Sequence, residues 1–384
     1  MDDGMRIAMI AACPFPWPRG TPVRIHRLAE AVARRGHDVH VLTYHLGQVL
    51  ERAEFTVHRI RDVPSYRYTA PGPTLRKLVL LDPMLSQLLR TLERGKPFDV
   101  VHAHHYEGIL VAMCARTATP IVYDAHTMLA GELPYYRLGL PRWFKRWIGG
   151  VIDRRLPRRA ARIITVSDSI RDQLIAIGAA REGQVSVIPN GVDCRRFEPA
   201  AGARRPGESL IFTGNLAAYQ GIDLMLDAFA VLRRRRPSAR LLMVTDSSFD
   251  AFEGQARDLG LREAIDVCTA PLEQLPALLA GADVALNPRV DCDGIPQKLL
   301  NYMAAGKPIV SFCGSGASLT HERTGLCVPD GDTRAMADAI DRLLGDEILA
   351  DRLGAAARKQ VQTEFSWDRA AARVEQVYRL SLRT

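Results

Sequence analysis

The chain has 384 residues, of which 47% are apolar and 24% charged, more than one hydrophobic core usually accommodates, so two domains are expected. No run approaches the ~20 apolar residues that span a bilayer, the N-terminus carries a short apolar strand rather than a signal peptide, and the seven cysteines form no CxxC pair, which together point to a reducing cytoplasm. The net charge of +8 is uneven: residues 1–199 hold 29 Lys and Arg against 19 Asp and Glu, whereas 200–384 hold 22 against 24, so an anionic partner would meet the first half.

Met5–Ile10 reads as a buried strand, PFPWPRGTP as a loop and Val23–Arg35 as a helix, after which Gly36-His37-Asp38 turns into the strand VHVLTY. The alternation continues through DVVHAHH, PIVYDAHT and ARIITVS, and returns with SLIFTG, ARLLMVT, IDVC, DVALNP and PIVSF. Two doubly wound parallel sheets, an α/β architecture, are expected. The Pro, Gly and charge content of Glu198–Ser209 is that of a linker, giving domains over 1–199 and 200–365. A closing helix, 366–384, is amphipathic, with Trp367, Val374, Val377 and Leu380 on one side.

Three segments carry chemistry. His126 follows the strand PIVYDA at the C-terminal edge of a parallel sheet, where open α/β sheets bind ligands, and an imidazole there can donate to a ligand hydroxyl or stabilise charge near a reacting carbon. His104 ends the preceding strand; by residue type alone both histidines also fit a structural role. Leu133–Ile163 interleaves Trp143, Phe144, Trp147 and Ile148 with Arg142, Lys145, Arg146, Arg154, Arg155, Arg158 and Arg159, as in helices that lie in a membrane interface, although an ordinary domain helix is the alternative. An anionic bilayer would attract the 142–159 stretch by about 1 kcal/mol per nearby cation. No nucleic-acid-binding module is present, so nucleic acid is not an expected partner.

The third segment is DGIPQKLLNYMAAGKPIV. A helix that begins after Asp293-Gly294-Ile295-Pro296 aims free N–H groups and partial positive charge at whatever precedes it, and a phosphate is the natural occupant. Arg289 lies in the loop upstream, and Gly306-Lys307-Pro308 closes the helix downstream. Asp291 and Asp293 lack a His or Cys partner at ligand spacing, so no metal is expected.

With GHDVHVLT, HAHH, SDSI, IPNGVD, TGLCVPDGD and FSWDRAA in this order, the chain resembles the family-4 retaining glycosyltransferases of the GT-B fold. The resemblance implies two Rossmann-like domains with a cleft between them, an acceptor domain first and a nucleotide-sugar domain second, the final helix crossing back onto the first. It implies transfer of a sugar from a nucleoside-diphosphate sugar to an acceptor hydroxyl with retention, requiring no cofactor. The basic aromatic segment then suggests a lipid, lipid-linked saccharide or other cell-envelope glycan precursor as acceptor, and a peripheral position on the inner face of the membrane. An epimerase or hydrolase of the same fold and a non-catalytic nucleotide-sugar binder are the alternatives.

Residue by residue, the resemblance implies that His126 faces the donor sugar and that Asp293 and Asn301 stand where the family has two glutamates, offering acceptors to the sugar and ribose hydroxyls. The family's diphosphate-binding Arg and Lys match Asn215 and Gln220, so both expected cations are missing. Arg289 and Lys298 are the expected replacements, because charge building on the departing diphosphate must be stabilised. Gly294, Ile295, Pro296 and Leu299 surround the phosphate-facing helix start, Gly214 brings a backbone close to the phosphates, and the base stacks near Val267. Gly20 and Thr21 occupy the place of a double glycine, and Thr21, Arg24 and His104 are assigned to the acceptor side.

Overall fold

The computed structural model describes residues 4–17, 20–48, 50, 53–67, 74–136, 139–198, 208–271, 273–292 and 294–383. The chain forms two compact units, Met1–Asn190 with Trp367–Thr384, and Gly191–Ser366.

The first unit is built on β1 (Arg6–Ala11), β2 (Asp38–Thr43), β3 (Thr56–Arg59), β4 (Val100–His104), β5 (Ile121–Ala125), β6 (Arg162–Thr165) and β7 (Val185–Val187). They lie in the order β3-β2-β1-β4-β5-β6-β7, every pair parallel. Central strands covered on both faces are mostly apolar, and β1, β4 and β5 are almost wholly buried, with His102, His104 and Asp124 the polar exceptions in β4 and β5. The strand order reverses between β1 and β4, so a crevice opens at the C-terminal ends of those strands. The helix Thr21–Ala33 starts beside that crevice, entered through Gly20 at φ 59° with Pro22 in its first turn.

The second unit repeats the plan with β8 (Ser209–Thr213), β9 (Arg240–Val244), β10 (Ile265–Cys268), β11 (Val284–Asn287), β12 (Ile309–Phe312) and β13 (Leu326–Val328). Its all-parallel order is β10-β9-β8-β11-β12-β13, reversing between β8 and β11. The helix Ile222–Arg235 follows β8, and the helix Gln297–Ala304 joins β11 to β12.

The chain enters the second unit earlier than the linker composition suggests. Val192 and Phe197 already pack with Leu299, Leu300 and Tyr302, and Val192 N–H donates to the Phe365 carbonyl at 2.8 Å. Residues 199–207, on which the expected boundary rests, lie outside the described residues. The closing helix Trp367–Ser381 packs within the first unit, where Trp367, Val374, Val377 and Tyr378 meet Ile25, Leu28 and Val32. Leu380 is a correction: it is 42% exposed, and Tyr378 and Ser381 complete the buried stripe at the helical spacing of 374, 377, 378 and 381.

Candidate active site

In the first unit, His104 of β4 pairs with Asp124 of β5, and the two-residue strand period adds His102 to the same layer. A carboxylate inside an apolar strand requires a partner. The helix over that layer supplies it: Arg24 Nε and Nη2 donate to the two Asp124 oxygens at 3.0 and 3.2 Å. The same guanidinium reaches Asn190 Oδ1 at 3.1 Å and the Ile188 carbonyl at 3.0 Å. Burial would raise the Asp124 pKa, but Arg24, then His126 and hydrogen bonds from His102 and His104, hold it well below the usual carboxylate range. The closing helix completes the cluster, with Tyr378 Oη 2.6 Å from His102 Nδ1.

His102, His104 and Asp124 form the one group among the described residues with donor atoms close enough to share a metal ion. The bidentate guanidinium on Asp124 opposes a second cation there, so the cluster is an ion pair flanked by imidazoles.

His126 sits directly after β5, its Nδ1 3.1 Å from Thr21 Oγ1 and its Nε2 3.5 Å from His104 Nδ1. Burial lowers its pKa despite Asp124, which leaves a neutral imidazole able both to donate and to accept at pH 7. His105, next to it, has φ 62°, a conformation rare for a residue with a side chain and a marker of functional sites. Its Nδ1 lies 2.7 Å from Glu107 Oε2 and its Nε2 3.2 Å from Thr127 Oγ1. Burial lowers the His105 pKa, but Glu107 more than offsets this and raises it.

Of the residues read from sequence, Thr21, Arg24, His104 and His126 therefore converge, and Gly20 caps their helix. A Cβ at Gly20 would meet nothing within 4 Å, so its positive φ rather than crowding calls for glycine. Asp124, His102, His105 and Tyr378 were not singled out. The signal for Asp124 was present in PIVYDA; its partner, 100 residues away, was not.

In the second unit, Gln220 meets one of the two expected replacement cations, Lys298, and Asn215 joins it through Gln220. Asn215 Oδ1 accepts from Gln220 Nε2 at 3.3 Å, and Gln220 Oε1 accepts from Lys298 Nζ at 2.7 Å. Lys298 is 8% exposed, with Nζ 4.2 Å from the Phe212 ring centroid. Burial, reinforced by Arg289, lowers its pKa to about 7. Arg289 donates to the Asp291 carbonyl and lies over the Tyr219 ring at 4.8 Å. Its loop is fixed from inside by buried Asn287, which donates to Ser311 Oγ and Ser315 Oγ, while Ser315 donates to the Arg289 carbonyl.

The other positions divide by burial. Gly214 has φ 128° with no Cβ contact closer than 4.0 Å, and Val267 is 38% exposed. Gly294 and Ile295 are half-buried, and Pro296 is the buried cap of the helix Gln297–Ala304. Leu299 is fully buried in the core, so only its backbone can serve a ligand, and Asn301 is half-buried. Asp293 lies outside the described residues.

The basic aromatic segment forms an α-helix over Arg142–Arg155, with short 3-10 turns at Leu133–Tyr135 and Pro157–Arg159. Trp143 and Trp147, one turn apart, are 72% and 60% exposed, with Phe144 stacked on Trp147 at 5.7 Å. Tyr135 is exposed beside them, under the Arg142 guanidinium at 5.4 Å. Lys145 is not among the free cations: it is buried and donates to the Pro134 and Tyr136 carbonyls at 2.8 and 2.9 Å. Ile148 turns toward the core. Among the described residues, no helix is long and apolar enough to cross a membrane.

Comparison with known proteins agrees with the two-sheet fold. Residues 18–196 match Glycosyltransferase Family 4, and residues 207–346 match Glycosyl transferases group 1. An MMP alpha-(1->4)-mannosyltransferase of Mycolicibacterium hassiacum is 27% identical, covering 97% of this chain and 98% of its own. A phosphatidyl-myo-inositol mannosyltransferase of Mycobacterium leprae is 28% identical over 97% and 96%. Among solved structures, a sucrose-phosphate synthase of Thermosynechococcus elongatus superposes with TM-score 0.79 at 20% identity, covering 98% of both chains. Anabaena HepE, solved with UDP and glucose, gives 0.76 at 18% identity, covering 97% of this chain and 98% of its own. Two glycosyltransferase patterns in sequence, one for each parallel-sheet unit, identify the chain as a glycosyltransferase of the GT-B fold, like the family-4 and group-1 enzymes.

Proposed function

We propose that the protein transfers a sugar from a nucleoside-diphosphate sugar to an acceptor hydroxyl with retention, its second unit holding the donor through a rewired diphosphate site. The observation that carries this reading is the 2.7 Å hydrogen bond from Lys298 to Gln220. It brings an amine to the residue that stands where the family has its lysine. Among the described residues no carboxylate pairs with that buried amine. A buried cation without a counter-ion is costly unless something anionic arrives, and a departing diphosphate is such a group. Arg289 beside it takes the role of the lost arginine.

In this reading the helix start at Gly294, Ile295 and Pro296 receives phosphate, Asn301 addresses the ribose and Val267 borders the base. His126 donates to the donor sugar, Asp293 accepts from it, and the leaving phosphate removes the acceptor proton, which accounts for retention without a protein nucleophile. The two mannosyltransferase relatives support hexosyl transfer, and UDP bound to HepE supports a nucleoside-diphosphate donor. The exposed Trp143, Trp147 and Tyr135 beside Arg142 and Arg146 support docking on the inner, anionic face of the cell membrane, and with it a lipid or lipid-linked acceptor.

A thermal-shift screen of UDP, GDP, ADP and TDP, alone and with their common sugars, tests the donor assignment. A ligand at 100 times its Kd stabilises by about 2.7 kcal/mol. One clear hit that Lys298→Ala abolishes is the expected result; no hit with any nucleotide in a folded protein would sink the assignment.

A further inference from the structure

Tyr219 has no counterpart among the residues that the family resemblance marks, yet it joins the parts of the second-unit site. It is 54% exposed on the short turn Ala218–Gln220. Its hydroxyl accepts from Asn215 Nδ2 at 3.0 Å, and its ring lies under the Arg289 guanidinium at 4.8 Å. The next residue, Gln220, is the one that receives Lys298.

The turn that carries the ring cannot drift from the loop that carries Arg289. Gly221 closes the turn at φ 69°, and a Cβ there would lie 2.2 Å from the Pro288 carbonyl oxygen, so the backbone just before Arg289 is in direct contact with it. An arginine side chain loses considerable rotamer freedom when it is aimed at a ligand. Here two fixed surfaces remove that freedom in advance: the Asp291 carbonyl takes Nε, and the Tyr219 ring takes the guanidinium face. Among the described residues nothing else bonds the guanidinium, which leaves its Nη groups for a bidentate anion.

We propose that Tyr219 is a positioning residue of the donor site, its ring holding Arg289 in the orientation that binds the diphosphate and Asn215 holding the ring. This rests on the reading of Arg289 and Lys298 as the diphosphate cations.

The test is calorimetric titration of UDP, GDP, ADP and TDP into the wild type, Tyr219→Phe, Tyr219→Leu, Arg289→Ala and the Tyr219→Leu/Arg289→Ala double variant. For the nucleotide that the wild type binds best, Tyr219→Leu weakens binding about fivefold, as loss of a partly exposed cation–π contact implies, and Tyr219→Phe restores it to within about twofold. The double variant binds no more weakly than Arg289→Ala alone, because the ring acts only through that side chain. Equal affinity of Tyr219→Leu and wild type, or losses that add in the double variant, would overturn the positioning role while leaving the diphosphate reading intact. Failure of the folded wild type to bind any of the four overturns the diphosphate reading, and the Tyr219 role with it.

Discussion

Lys298 pays for its place in the site with a depressed pKa, from the ordinary 10.5 to about 7, caused first by burial and then by Arg289. The sign of two pH effects follows. In the proposed donor site binding needs the charged amine, so nucleoside-diphosphate affinity falls as pH rises through 7, by about 30-fold between pH 6 and 8.5, measurable as Kd. Stability runs the other way. Below pH 7 the amine is charged in both the folded and unfolded chains and its burial cost stands in full. Between 7 and 10.5 only the unfolded chain binds the proton, so stability rises with pH across that window. Lys298→Met therefore stabilises the protein at pH 6, by on the order of 2 kcal/mol in urea unfolding, while abolishing diphosphate binding. The Asp124–Arg24 pair behaves oppositely. Asp124→Asn leaves a buried guanidinium uncompensated and costs about 3–5 kcal/mol at pH 7. With its folded pKa held well below the ordinary 3.8, Asp124 contributes stability that is complete above that value and lost as pH falls below it, a loss the Asn variant does not show.

Elements act here by bringing their ends together. Gly221→Ala would have to place a methyl 2.2 Å from the Pro288 carbonyl at a backbone angle of φ 69°, so the turn and the Arg289 loop must separate. Destabilisation of about 2 kcal/mol or more is expected, with a parallel loss of nucleotide affinity, since the same contact aligns Tyr219 and Gln220. In the first unit the closing helix belongs to the site through one hydroxyl. Tyr378→Phe keeps the ring packed among Ile25, Leu28 and Val32 but leaves His102 Nδ1 buried without its 2.6 Å partner. That costs about 1–3 kcal/mol in chemical denaturation, whereas a change of less than about 0.5 kcal/mol would show the hydroxyl to be dispensable.

At the scale of the molecule, the excess of positive charge in residues 1–199 and the exposed aromatics of the helix Arg142–Arg155 fall on the same unit. Partitioning onto vesicles containing phosphatidylglycerol should exceed that onto phosphatidylcholine vesicles and weaken with salt, each exposed cation contributing about 1 kcal/mol. Trp143→Ala/Trp147→Ala should reduce sedimentation with anionic vesicles at least tenfold with unchanged thermal stability, because neither ring is part of the core. Equal binding of the double variant would return this helix to the status of an ordinary solvated one.

The parallel-sheet architecture was legible in the sequence because covered strands must be apolar and their breaks need Gly, Pro or polar turns; SLIFTG, DVALNP and PIVSF became β8, β11 and β12 with little change. His126 and the helix after Gly294-Ile295-Pro296 were legible for the same reason, since the end of a parallel strand and the start of a helix are set locally. What a side chain meets on another element is not local. Gln220 read as a missing lysine until Lys298 was found bonded to it across 78 residues of chain, Lys145 read as a surface cation until two carbonyls claimed it, and Asp124 carried no mark at all until Arg24 was found paired with it. Sequence determined where the ends of strands and helices fall; only the tertiary structure decided which charges are buried, and against what, because burial and pairing depend on packing between segments that periodicity does not relate.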